Sequence, residues 1–306
     1  MNFRSRFFLI TLPSNYCNMK KVFFFTAAFL VFAVSCSGPA NRAKGRIITV
    51  SIPPFRYFVE AIADSDFTVN VMLPPGADHH TWEPLPAQIS ALAKSDAFLT
   101  DGYLGFESAW MNRFREINPA MKISDLARGI NLIKPLDGDH TDTHDEEGAD
   151  PHYWMSPKEA YVIAANARDI LKELNPPGSS RYESNYLKLI ARIASVDTVV
   201  TRNLRTLQSR SFLIYHPALS YLARDYSLEQ LSFENEGKEP SPSGMKRLVD
   251  MAEAKGIKVI LVQAEYDTKN AMAIAGETGT RLFVINPMNP DWEKSVIGIC
   301  EDLNTK

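Results

Sequence analysis

The sequence predicts an α/β protein with parallel sheets, and three observations carry that reading. Short apolar, strand-like runs alternate with helical patterns of about 10–15 residues, the rhythm of βαβ units. The rhythm occurs twice along the chain. Between the two runs lies one segment, from about Ser179 to Leu207, with helical apolar spacing and no proline or glycine inside it.

The first run starts at IITVSI (47–52), a buried strand. FRYFVEAIAD (55–64) places Phe55, Phe58, Val59 and Ile62 on one helical face. FTVNVMLP (67–74) reads as a strand closed by proline, and a loop, PGADHHTWEPLP, follows. AQISALAKSD is helical, AFLTDG (97–102) a strand, and FESAWMNRFREI helical again. The pattern breaks at 137–150, DGDHTDTHDEEGAD, an acidic surface loop carrying two histidines. DPHYWMSP then leads into the helix PKEAYVIAANARDILKEL.

The uninterrupted segment (179–208 with its flanks) places Tyr186, Leu187, Ile190, Ile193, Ala194, Val199 and Leu204 at roughly helical spacing. A helix of about 28 residues would span about 42 Å, long for a globular protein, which makes it a candidate link between two domains. Beyond it, SFLIYH (211–216), LEQLSF (228–233), IKVILVQA (257–264) and RLFVIN (281–286) are strand-like. PSGMKRLVDMAEAKG (242–256), TKNAMAIAGETG (268–279) and DWEKSVIGICEDL are helix-like. The expected organisation is therefore a lobe at 46–178, the linking helix at 179–208 and a second lobe at 209–306.

The N-terminus departs from globular composition. Met19-Lys20-Lys21 precedes an uncharged apolar run from Val22 to Val34, the layout of a secretory signal peptide and too short for a comfortable membrane span. It ends in Ala33-Val34-Ser35-Cys36, which resembles the lipobox of bacterial lipoproteins, where cleavage precedes an acylated cysteine. The expectation is translation from Met19, with residues 1–18 an upstream extension, 1–36 removed or processed, lipidation at Cys36 and a polar tether at 37–45. The chain has three cysteines. Loss of Cys17 and acylation of Cys36 would leave Cys300 alone, which excludes an intramolecular disulfide and a cysteine metal cluster. A formal net charge of -3 gives no reason to expect a nucleic-acid partner.

Six histidines occur: His79, His80, His140, His144, His152 and His216. His80 follows a strand and precedes a helix, His152 sits in a turn before a helix, and His216 ends a strand. Open α/β sheets bind ligands outside the carboxyl ends of their strands. Imidazole suits zinc, and three imidazoles from separate segments could form one site with an open fourth position. The separations of 72 and 64 residues are unlike zinc-finger spacings, so spacing alone favours reading each histidine as a loop residue bonded to backbone.

At these segments the chain resembles the metal-binding lipoproteins of ABC importers for zinc and manganese, the zinc-uptake and streptococcal surface-antigen group. LPPGADHHTWEPLP matches the family's first ligand segment through His80, Trp82, Glu83, Pro84 and Pro86. DPHYWMSP resembles the second, with His152, and FLIYHPALSYLARDYSL the third, with His216. FENEGKEPSPSGMKRLV is similar to a further family stretch, and the similarity runs from about 46 to 300. The resemblance implies two Rossmann-like lobes with parallel sheets joined by one long rigid helix, with metal in the cleft between them.

The same resemblance implies His80, His152 and His216 as ligands of Zn2+, the transported ion. His216 stands where manganese members carry Glu. The family's fourth position is often Asp, where this chain has Asn286-Pro287; Glu265, Asp291 or Asn286 could serve as auxiliary donors. His140 and His144 would either collect zinc weakly on the acidic loop or belong to a plain solvated loop, and His79 would lie beside the site without ligating. The implied partners are an ABC permease with its ATPase and a membrane reached through the lipid anchor, for an exported, extracytoplasmic monomer that is not an enzyme. Alternatives are a manganese- or iron-binding member, a zinc-dependent hydrolase and a metal-stabilised surface adhesin. No H-E-x-x-H motif supports the hydrolase.

Overall fold

A computed structural model describes residues 45–134, 148–233 and 241–305. The signal segment, Cys36, His140 and His144 lie outside the described residues. Among the described residues, eight strands form two four-stranded, all-parallel sheets. The first contains β1 (Ile47–Val50), β2 (Thr68–Val71), β3 (Ala97–Thr100) and β4 (Lys122–Asp125), in the order β2-β1-β3-β4. The second contains β5 (Ser211–Ile214), β6 (Glu229–Ser232), β7 (Val259–Gln263) and β8 (Arg281–Ile285), in the order β6-β5-β7-β8. The two orders are the same pattern, with the reversal of strand order falling beside the first strand of each sheet.

Position in the sheet explains composition. The strand β3 (AFLT) is buried throughout, as is β7 (VILVQ), because helices cover both faces of central parallel strands. The edge strands β2, β4, β6 and β8 alternate or stay half-exposed. The strand β4, KISD, carries no apolar run, and the sequence reading passes over it. It exists because β3 templates it, pairing Ala97 with Lys122 through Thr100 with Asp125.

Helices begin where their signals stand. Prolines open α1 (Pro53–Ala63) and α4 (Pro157–Leu174), where a missing N–H does no harm. Ser156 caps α4, its Oγ accepting from Lys158 N at 3.2 Å, and Asp291 likewise caps α9 (Trp292–Leu303). The helix α2 (Pro86–Leu92) is shorter than the pattern predicts, and α3 (Gly105–Ile117) agrees with it. A short α6 (Ser220–Asp225) follows β5. In the second half, α7 (Pro242–Ala254) and α8 (Lys269–Thr278) match, α8 stopping at Gly279 with a left-handed φ of 66°.

The predicted long helix is α5 (Ser179–Arg205), 27 residues or about 40 Å. Its buried stripe is Tyr182, Leu189, Ile193, Val196, Val200 and Leu204. It packs on α1 and α4 on one side and on α9 on the other, so one apolar cluster runs through residues of both sheets, from Ile48 and Phe98 to Phe212, Leu261 and Trp292. Two tryptophans fasten the junction. Trp154 Nε1 donates to Pro287 O at 3.1 Å, and Trp292 Nε1 donates to Trp154 O at 2.6 Å. Trp292 also packs against Tyr57 and Phe58, with ring centroids 5.6 and 5.2 Å away.

Candidate metal centre

His79 and His80 stand in the loop between β2 and α2. Asp78 shapes that loop: its Oδ1 accepts from His80 N at 2.9 Å, its Oδ2 from Thr81 Oγ1 at 3.0 Å, and its carbonyl from Trp82 N at 3.0 Å. This tight turn points two consecutive imidazoles in one direction, which neither a strand nor a helix would do. Trp82 anchors the turn edge-on against Phe106 at 5.1 Å.

His152 opens a 3-10 turn, His152–Met155, immediately before α4. Asp150 accepts from both His152 N and His152 Nδ1, each at 2.8 Å. That hydrogen bond places the proton on Nδ1 and leaves Nε2 with a lone pair. Burial would raise the Asp150 carboxyl, but the adjoining His152 outweighs it and holds the group below the usual carboxylate range. Tyr153 ties the turn to the end of β3, its hydroxyl donating to Asp101 O at 2.9 Å.

His216 follows β5. The buried Gln263, at the end of β7, clamps its backbone on both sides. Gln263 Oε1 accepts from His216 N at 3.3 Å and its Nε2 donates to His216 O at 2.6 Å.

These three segments bring four histidines together. One ring nitrogen from each of His79, His80, His152 and His216 lies within 4.8 Å of the other three. His79 Nε2 is 3.0 Å from His152 Nε2, and His80 Nε2 is 3.0 Å from His216 Nε2. Ring centroids are 4.0 to 6.2 Å apart. His79, His152 and His216 are 3, 3 and 6% exposed, whereas His80 is exposed. Burial, and then the neighbouring imidazoles, hold His79 well below its ordinary value of 6.5, so it is neutral at pH 7 with a lone pair to offer. Nitrogen donors at this separation, with no cysteine or carboxylate among them, suit a borderline ion such as zinc.

His80, His152 and His216, the ligands expected from the sequence resemblance, therefore lie together. His79, read from sequence as a bystander, joins them; the reason is the Asp78 turn, which no hydrophobic periodicity reports. Asn286 is exposed and uses Oδ1 to accept from Met288 N at 2.9 Å, closing its own turn. Asp291 is occupied in capping α9. Glu265 is half-buried, raised by burial and by Asp78 and offset by His216, but its carboxylate stands outside the 4.8 Å set. Asp150 and Gln263, the groups that orient His152 and His216, were not singled out from sequence.

A family model described as the periplasmic component A of the zinc-uptake complex, ZnuA, matches residues 48–297. The chain belongs to the ZnuA family. Among curated ZnuA-like proteins, it is 28% identical over 284 residues to the zinc-binding lipoprotein AdcA of Streptococcus pneumoniae, covering 88% of this chain and 56% of that one. The chain thus spans about half the length of the AdcA relatives it matches. A crystal structure of ZnuA aligns with TM-score 0.78 and 32% identity, covering 85% of this chain and 98% of that one. A zinc-bound ZnuA lacking residues 138–173 in its own numbering aligns with TM-score 0.78 and 33% identity, covering 85 and 97%. The ZnuA fold of two parallel sheets and one long helix is the fold of this chain.

Proposed function

We propose that this chain captures Zn2+ outside the cytoplasmic membrane and hands it to the permease of an ABC importer, through a site built by His80, His152 and His216. The observation that carries this reading is the convergence of imidazoles from both sheets on one point, where His80 and His152 come from the first lobe and His216 from the second. Family membership and the zinc-bound ZnuA structure support the choice of ion. The loop with His140 and His144 would gather zinc near the cleft, and lipidation at Cys36 would hold the protein at the membrane surface. Among the described residues no helix is long and apolar enough to cross a membrane. The lobe boundaries at 178 and 209 belong to the same proposal, as does action as a monomer.

The histidines line a cleft with Ile133, Asp150 and Pro217. Each histidine belongs to a differently anchored segment, so a metal there links both lobes without being needed to fold either sheet. Metal that exchanges readily from the folded protein is expected of cargo, whereas a structural ion leaves only on unfolding. Titration of the metal-free protein with zinc and with manganese tests the reading. One tight zinc site, much weaker manganese binding and a loss of at least about 100-fold in zinc affinity in His216→Ala are expected. Manganese binding as tight as zinc, or ester, peptide or phosphate turnover by the zinc-loaded protein, would overturn it.

A further inference from the structure

We propose that His79 is a fourth zinc ligand, closing an all-imidazole tetrahedral shell that discriminates against manganese. The inference rests on zinc capture at this cluster and names what sets its selectivity.

Geometry comes first. Four nitrogens around zinc at about 2.0–2.1 Å lie about 3.3–3.4 Å apart along the edges of a tetrahedron. Two opposite edges already exist, His79–His152 and His80–His216, each 3.0 Å between Nε2 atoms. An ion entering between the two pairs needs each pair to widen by a few tenths of an ångström and the nitrogens of the two pairs, all within 4.8 Å of one another, to draw in to the same spacing. Removing His79 from the set would leave His80 and His216 facing His152 alone, with one corner of the tetrahedron open.

Burial points the same way. His79 is as buried as His152, and its Nδ1 has no hydrogen-bond partner among the described residues. Removing a polar ring from water is costly unless it gains a partner, and the partner on its other edge is the cluster. With the His152 Nδ1 proton committed to Asp150, the 3.0 Å contact to His152 is a donation from His79 Nε2 to a bare lone pair. Zinc binding replaces that contact, and the His79 proton moves to Nδ1, so both imidazoles bind neutral and charge balances. His79 is then held without the outer hydrogen bond that stiffens His152, which suits a ligand that must let its ion go.

Chemistry supplies the selectivity. Four neutral nitrogens favour zinc over manganese, which prefers oxygen and a larger shell. Of the oxygen donors near the site, Asn286 is engaged in its own turn, Asp291 in a helix cap and Asp150 behind His152, and the Glu265 carboxylate stands outside the 4.8 Å set. A complete protein shell also leaves no position for a bound water to act as nucleophile.

X-ray absorption on the zinc-loaded wild-type protein reads the shell directly, and four imidazoles are expected. In the same protein, His79→Ala should lower zinc affinity by at least about 10-fold, and His79→Asp should raise the manganese-to-zinc affinity ratio by at least about 10-fold. Three imidazoles plus an oxygen in the wild type, or zinc affinity in His79→Ala within about twofold of wild type, would overturn the inference. If His79→Ala fails to fold, the wild-type spectrum decides alone. A loss in His216→Ala without a loss in His79→Ala removes only the fourth ligand; no loss in either removes the zinc site itself.

Discussion

At the scale of single residues, the site is made by groups that never need to touch the metal. The Asp150 carboxylate fixes both the rotamer and the tautomer of His152 with two 2.8 Å hydrogen bonds. Outer partners of metal-bound imidazoles are worth about 10–100-fold in affinity. Asp150→Ala is therefore expected to keep the fold and lower zinc affinity by about that factor, measured by competition with a chromophoric chelator; unchanged affinity would mean that packing alone orients the ring. The Gln263 clamp acts on the backbone of His216. Gln263→Leu leaves two buried backbone groups without their partner, so it should cost about 1–3 kcal/mol of stability as well as some affinity, which separates it from Asp150→Ala in denaturant titrations.

At the scale of elements, the carboxyl end of β3 holds a buried pair of acids directly behind the His152 turn. Asp101 is fully buried and Glu107 is 1% exposed. Glu107 accepts from Asp101 N at 2.8 Å, from Gly102 N at 2.7 Å and from the Ser51 hydroxyl, yet burial still pushes it up to about 7. Burial, and then Glu107 and Asp125, push Asp101 well above the usual carboxylate range. Groups raised in the folded state contribute stability that is full below the unfolded value and is lost as pH rises through the folded value. Asp101→Asn should therefore gain on the wild type as pH rises from about 5 to 8, as read by urea denaturation. An advantage independent of pH would show that burial does not hold Asp101 protonated in the folded protein. The linking helix makes a simpler prediction. Ile193 is fully buried in its stripe, so Ile193→Ala should cost about 2–5 kcal/mol, measured by the same denaturation.

At the scale of the whole molecule, the two sheets do not ride on a free hinge. One apolar cluster passes from the first sheet through α5 to the second, and across the junction the Trp154 indole donates to Pro287 O while the Trp292 indole donates to Trp154 O. A shared core predicts one cooperative unfolding transition for the described residues, with coincident curves by fluorescence and circular dichroism. Two separated transitions would show that each sheet folds alone. Zinc bound only to the folded state should add about 2.7 kcal/mol at a hundred times its dissociation constant. With the junction fastened, zinc binding is expected to move only the histidine loops and not one sheet against the other. Small-angle scattering of metal-free and zinc-loaded protein should give the same radius of gyration.

Much of this was legible in the amino-acid order. Parallel α/β architecture and the long α5 are written locally, because β3 and β7 are short, continuously buried runs and the buried stripe of α5 repeats at the helical period. His80, His152 and His216 were picked out through the resemblance of their segments to a family, not from their spacing, and the structure brings the three together. Their convergence was not legible in the amino-acid order. Whether His79 turns inward depends on the Asp78 hydrogen bonds, β4 depends on the strand that templates it, and the Gln263 clamp joins residues 47 apart in the chain. Periodicity describes what one element does with its own neighbours. The fourth imidazole, the clamps behind the ligands and the core shared by both sheets arise only when distant elements meet, and the tertiary structure alone decides them.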